Sequence, residues 1–176
     1  IKQDDTLPDR LEINYAEKRT LKVNNNPINK SSEFIRKINT VSFTPEDIEL
    51  IKGAAGNRRQ FLDILLSQLS PNYLSSLQNY NKALKTRNKL LRNSSDNQTY
   101  DTAMFATYDS LLIEYGTYIS FARYDIIAKL ENKIRHFNKS MFPEKRKMKV
   151  LYSSTISRTL SSTEELKTSF RQKLKE

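Results

Sequence analysis

The residues best placed to do chemistry fall within one short stretch. Glu46 and Asp47 are adjacent carboxylates directly after Pro45, and Gly53-Ala-Ala-Gly56-Asn-Arg-Arg59 follows them. Such carboxylates could hold a divalent cation or sense a nucleotide, and glycines ahead of arginines could face an anion. Neighbouring carboxylates do not oppose one another across a bond as a glycosidase pair does. Their plain reading is as acids at the positive end of a helix. The sequence has no GxxxxGK[ST] and no glycine-rich dinucleotide fingerprint, so it lacks the lysine and hydroxyl that phosphoryl transfer requires. Arg58 and Arg59 could touch phosphate, or could pair with Asp63 one helical turn on. Cysteine is absent and His136 is the single histidine. Thiolate sites, disulfides, cysteine nucleophiles and histidine-rich metal sites are therefore excluded. No serine has the histidine and acid that would activate it. The expectation is no catalytic and no metal-binding residue in this chain.

Charge says more. There are 30 lysines and arginines against 20 acids, a net charge of +10. Between positions 71 and 92 the charged residues are Lys82, Lys85, Arg87, Lys89 and Arg92, with no acid among them. Between 129 and 149 stand Lys129, Lys133, Arg135, Lys139, Lys145, Arg146, Lys147 and Lys149, against Glu131 and Glu144. Either stretch suits a phosphate track or a solvated helix surface, and neither carries anything that specifies bases. The tyrosines at 73, 80, 108, 115, 118 and 124 fall mostly on or near apolar helical seams, which makes them packing residues rather than stacking platforms.

The elements that must position these residues come in two kinds. Leu11–Tyr15 and Arg19–Val23 alternate apolar and polar as half-buried strands do, and Asn24-Asn-Asn-Pro-Ile28 reads as a turn with a short return strand. A short helix over Glu33–Ile38 and a brief strand at Val41–Phe43 are expected next. Pro45-Glu-Asp opens a helical turn, Gly53 and Gly56 bracket a loop, and Asn57 caps the following helix. Ser70 then caps another helix with Pro71 at its first position. Its seam runs Tyr73, Leu77, Tyr80, Leu84, Arg87, Leu91 until Asn93–Asn97 breaks it. A longer seam follows through Met104 or Phe105, Tyr108, Leu111, Tyr115, Ile119, Ala122, Ile126, Leu130, Ile134 and Phe137. Two helices joined by a short polar loop imply an antiparallel hairpin, with the tail of the longer one packing elsewhere or projecting. A strand over Lys149–Ile156 is expected to return to the sheet. Ser161, three residues before Glu164, introduces a last helix with Leu166, Phe170 and Leu174.

The chain has 176 residues, 37% of them apolar, with three glycines and five prolines. That is one domain or slightly more, and too few glycines for a sheet-rich fold. No run approaches the ~18 apolar residues of a membrane span. The chain starts at Ile1 without a leader pattern and ends within a helical pattern, so it is expected to be a piece of a longer protein.

Val41-Ser-Phe-Thr-Pro-Glu-Asp-Ile-Glu-Leu-Ile-Lys-Gly53, Arg58-Arg-Gln-Phe-Leu-Asp63, Ser67-Gln-Leu-Ser-Pro-Asn-Tyr73 and Tyr80-Asn-Lys-Ala-Leu-Lys-Thr-Arg-Asn-Lys-Leu-Leu91 form a long ungapped string of unusual residues. This string closely resembles the RecF family of bacterial recombination mediators. Lys22–Ile28, Glu114-Tyr-Gly116 and Ala122-Arg123 fit the same family more loosely. The resemblance implies an α+β, mainly helical fold: part of an ABC-type ATPase lobe, with a small antiparallel sheet and an inserted antiparallel helical arm. Residues 1–70 would complete the first lobe with a Q-loop-like segment, 71–150 would be the arm, and 151–176 would return toward the ATPase. ATP and Mg²⁺ are implied for the parent protein, through Walker A, signature and Walker B elements that this chain lacks. No cofactor is expected in this piece itself. Glu46 and Asp47 would take a nucleotide- or metal-sensing place. Arg58, Arg59, Lys82, Lys85, Arg87, Lys89, Lys133, Arg135 and Lys139 would meet DNA without sequence preference. Implied partners are gapped or duplex DNA, RecR, RecO indirectly, and a second subunit in an ATP-dependent homodimer. The implied setting is the bacterial cytoplasm and nucleoid, in repair, replication, recombination and the SOS response. The rival reading is an interaction arm that holds RecR or a second subunit without touching DNA.

Overall fold

A computed structural model describes residues 10–16, 18–31, 34, 43–97, 101–142, 148–156 and 162–175. The chain divides into two compact units, residues 1–61 and 62–176.

The first unit is built on a three-stranded antiparallel sheet, β1 (Leu11–Tyr15), β2 (Arg19–Val23) and β3 (Asn26–Ile28), in the order β1-β2-β3. Leu11 faces Val23 and Ile13 faces Leu21 across the first pair; Val23 faces Asn26 across the second. A two-residue connection between right-twisted strands requires positive φ at both central residues. Asn24 (φ 50°) and Asn25 (φ 67°) adopt it. Asparagine tolerates that region, and Asn24 Oδ1 also accepts a bond from the Arg10 N–H at 2.7 Å. Alternation then turns Leu21 and Val23 inward, onto Phe34, Leu11 and Ile28. This core is small, and the outer end of β1 stays wet, with Tyr15 78% exposed.

After a 3₁₀ turn over Pro45–Ile48 comes α1 (Glu49–Lys52). A Cβ on Gly53 would lie 2.4 Å from the Glu49 carbonyl oxygen, so glycine alone ends this helix as it stands. The next helix, α2 (Ala55–Leu69), starts two residues ahead of Asn57, which therefore does not cap it. The division between the units falls within α2. Phe43 is 92% exposed and outside any strand; the rest of the expected Val41–Phe43 strand, and most of the expected Glu33–Ile38 helix, lie outside the described residues.

The second unit is helical. Ser70 Oγ accepts from the Tyr73 N–H and Pro71 opens α3 (Pro71–Asn97), as their types require. Asp101 caps α4 (Thr102–Met141) through the Met104 N–H. The two helices have 27 and 40 residues, about 40 and 60 Å long. They run antiparallel: Tyr73 packs with Ile119, Tyr80 lies beside Gly116, and Arg87 meets Asp109. The polar run Asn93–Asn97 does not break α3. A helix already propagating gains one hydrogen bond per residue, which carries it through a polar run.

Packing shifts parts of both seams. On α3, buried Ala83 and half-buried Leu90 carry the inner face, while Leu91 is 39% exposed. On α4, Phe105, Leu112, Ile113 and Ile119 are buried and Met104 and Phe137 are not. Gly116 is the crux of α4. A Cβ there would stand 2.7 Å from the Phe170 ring and 3.0 Å from the Tyr80 ring. Helix α5 (Thr163–Lys175) supplies Phe170 and Leu166 to a core with Ile113. Its N-terminus is capped by Ser162, which accepts from the Glu165 N–H at 3.1 Å; Ser161 lies outside the described residues. Residues 148–156 form no strand. Tyr152 instead stacks edge-on against Tyr124 of α4 at 4.7 Å, so the expected return to the sheet is replaced by packing on the long helix.

Candidate nucleic-acid interface

On α3, one turn takes 3.6 residues, so Lys82, Lys85, Lys89 and Arg92, spaced three, four and three apart, share an arc of about 80°. All four are exposed. They form a row about 15 Å long on the side away from Tyr73, Tyr80 and Ala83. Arg87 lies about 140° around the helix from Lys82. Its Nε donates to Asp109 Oδ1 at 2.5 Å, and its Nη2 donates to the Leu174 carbonyl at 3.0 Å. Only 15% of its side chain is exposed. Arg87 therefore ties α3 to α4 and α5 and is turned away from the lysine row.

The tail of α4 is less ordered in charge. Lys133, Arg135 and Lys139 are exposed, but Lys133 faces away from the other two. Arg135 pairs with Glu131 at 2.7 Å, and Lys129 pairs with Asp125 at 2.6 Å. These are ordinary exposed pairs, each worth about 0.3–0.5 kcal/mol.

In the first unit the candidates are largely occupied by the backbone. Asp47 Oδ2 accepts from the Thr44 N–H at 2.6 Å, which fastens the entry to the 3₁₀ turn. Glu46 is exposed and has no partner among the described residues. Arg58 Nη1 donates to the Gly53 carbonyl at 2.9 Å and the Leu50 carbonyl at 3.4 Å, satisfying the end of α1. Arg59 is exposed. Asp47 is thus engaged by a cap, and Arg58 by the carbonyls at the end of α1.

Neither Arg58 nor Arg59 pairs with Asp63. Asp63 belongs to a cluster that sequence reasoning missed. Arg123 of α4 donates to Asp63 Oδ1 from Nη2 at 2.6 Å and from Nε at 3.1 Å, and Nε also reaches the Tyr73 hydroxyl at 3.1 Å. Tyr73 is fully buried and donates to Asp63 at 2.5 Å. Burial, and then the bond to Asp63, pushes its phenol above the usual tyrosine range. Burial opposes the Arg123 charge, yet hydrogen bonds to Tyr152 and Asp63 outweigh it and hold the guanidinium more firmly protonated than usual. The signal was present: Asp63 interrupts the apolar stripe of Leu62 and Leu66, and Arg123 stands between Ala122 and Ile126. A charge on an apolar face calls for a buried partner.

Among the described residues no helix is long and apolar enough to cross a membrane. No family model matches the sequence. The fold superposes on two solved structures of the recombination mediator protein RecF. One is described as RecF-ATP in the RecFOR pathway, with TM-score 0.86, 28% identity, 96% of this chain and 45% of that one. The other is described as RecF-ATPrS, with TM-score 0.84, 28% identity, 95% of this chain and 45% of that one. The small antiparallel sheet and the helical hairpin are thus an α+β, mainly helical part of an ABC-type ATPase fold. In sequence, the chain is 36% identical over 173 residues to the DNA replication and repair protein RecF of Streptococcus gordonii, covering 98% of this chain and 46% of that protein. It is 38% identical over 152 residues to the Streptococcus pneumoniae protein of the same name, covering 85% and 40%. The chain belongs to the RecF family and spans less than half the length of these relatives.

Proposed function

We propose that this chain is the arm-bearing part of a RecF-type DNA repair and recombination protein, and that the outer face of α3 holds the DNA backbone. The single observation that carries this is the row Lys82, Lys85, Lys89 and Arg92, exposed on one face with no acid between positions 71 and 92. Such a row neutralises phosphates and reads no bases, so binding is non-specific and salt-dependent. Arg59, Lys133 and Lys139 add exposed cations. Residues 1–70 would then contribute to the first ATPase lobe, 71–150 would form the arm, and 151–176 would lead back toward the ATPase. ATP and Mg²⁺ chemistry belongs to the whole protein, since this chain has no GxxxxGK[ST]; Glu46 is an unengaged carboxylate at the expected Q-loop position. Partnership with RecR and RecO, an ATP-dependent dimer, recognition of gaps for RecA loading, and a place at the nucleoid of a bacterial cytoplasm complete the proposal.

The test is the affinity of the 176-residue chain for a labelled duplex as salt rises. Four phosphate contacts predict a slope of log K on log salt of about −3.6, a loss on the order of 100-fold between 50 and 200 mM. K82E/K85E/K89E should abolish binding. No binding by the parent chain at 50 mM salt, with binding to RecR retained, would replace this reading by that of a protein-contact arm.

A further inference from the structure

The side of the unit where α4 meets the start of α5 carries charge of the opposite sign. From Thr102 to Ala128, α4 has one cation, Arg123, which is turned to Asp63. Glu114, Tyr118, Phe121 and Asp125 are spaced four, three and four apart, so they form one stripe about 16 Å long. Tyr118 is 41% exposed and Phe121 36%, aromatic surface left uncovered between two carboxylates. The stripe is one wall of a groove of about 490 Å³; Lys167 of α5 stands on the other. Lys167 is drawn to Glu164 at 2.8 Å and Asp125 to Lys129 at 2.6 Å, while Glu114 has no partner among the described residues. Thr117 also lines the groove. It is 4% exposed, and its hydroxyl is buried with no hydrogen-bond partner.

We propose that this groove docks a segment of a partner protein that presents an apolar side chain flanked by lysine or arginine. The aromatic pair supplies the apolar contact, and Glu114 and Asp125 meet the flanking cations. The volume is that of a site for one or two side chains. Nucleic acid is disfavoured, because its phosphates would face two carboxylates with the nearby Lys167 already paired. The proposal stands apart from the DNA reading, which uses the outer face of α3.

A library of displayed 12-residue peptides, selected on the 176-residue chain, tests it. Enriched peptides should share an apolar residue with lysine or arginine within a few positions. A synthetic peptide of that consensus should bind at least 10-fold more weakly to E114K/D125K and to Phe121→Ala. Phe121→Ala should keep the parent melting temperature and duplex affinity. Amide NMR shifts on peptide addition should centre on residues 114–125 and 163–167. The proposal fails if no peptide is enriched, if the enriched peptides are acidic, if the variants bind them unchanged, or if duplex DNA shifts the same amides.

Discussion

Lys85 and Arg87 are two residues apart on one helix and have opposite fates. Lys85, with Lys82 and Lys89, faces water and has no internal partner among the described residues. Arg87, and Arg123 across the hairpin, are 15% and 13% exposed and bonded to Asp109 and Asp63. The outer cations are solvated and interchangeable, so they can meet a phosphate with little structural consequence. The inner ones have exchanged water for fixed carboxylates, and the hairpin depends on them. Residue type alone does not separate the two sets, since Arg92 is exposed in the outer row. An angle of about 160° between Lys85 and Arg87 on a 3.6-residue helix does. A count of basic residues therefore overstates the surface available to an anion, and it hides the cations that hold the arm together.

The contrast can be broken most severely from inside. Arg123→Ala leaves Asp63 buried beside Tyr73 without its cation, and should cost about 3–5 kcal/mol in urea unfolding. Asp63→Leu combined with Arg123→Met should recover most of that, because it removes the buried charge rather than orphaning it. If Arg123→Ala proved as mild as a surface change, the division into inner and outer cations would fall. Gly116→Ala should cost about 1–3 kcal/mol, since the new methyl meets two rings, one on each neighbouring helix. A larger loss of stability in a Phe170→Leu background than in the parent would contradict that cause.

A pH titration sharpens the same contrast. The Tyr73 phenol is pushed above its ordinary 10.0 by burial. Its contribution is therefore complete below about pH 10, and is lost as pH climbs above that value and the unfolded chain ionises first. Tyr80 and Tyr124, also raised by burial, act in the same direction. Thermal melts at alkaline pH should fall more steeply for the parent than for Tyr73→Phe; equal slopes would mean that the phenol is not held as described. The smallest effect is expected outside. Lys85→Ala should change stability by less than about 0.5 kcal/mol, while reducing the DNA salt slope by about one. A stability loss beyond that bound would show Lys85 to be structural after all.

Much of the fold was legible in local patterns. Alternation at Leu11–Tyr15 and Arg19–Val23, the paired asparagines, Ser70 before Pro71, and the long seams each describe interactions within a few residues, and each appears in the structure. The errors came where local signals were weak. Ser162 and Ser161 offer equivalent capping spacings; Ser162 accepts from the Glu165 N–H, and Ser161 lies outside the described residues. Val150, Tyr152 and Ile156 have the spacing of a strand, but Tyr152 found an aromatic partner and a guanidinium on α4. The candidate site was half legible. The lysine row follows from helical arithmetic, whereas the commitments of Arg58 to the α1 carbonyls and Arg87 to Asp109 depend on what those side chains reach.

The sequence alone carried the likeness: a net charge of +10, no cysteine, a single histidine, no GxxxxGK[ST], and a run of residues characteristic of one family. These are properties of composition and order, and they survive any folding. Tertiary structure decided which charges were free. A carboxylate sixty positions from an arginine cannot be paired with it by periodicity, yet Asp63 and Arg123 meet at 2.6 Å because three helices bury them together. Burial makes an unpaired charge so costly that the fold selects its partners. What remained outside includes a basic row on α3 and an acidic aromatic groove on α4, the two surfaces we propose for contact with other molecules.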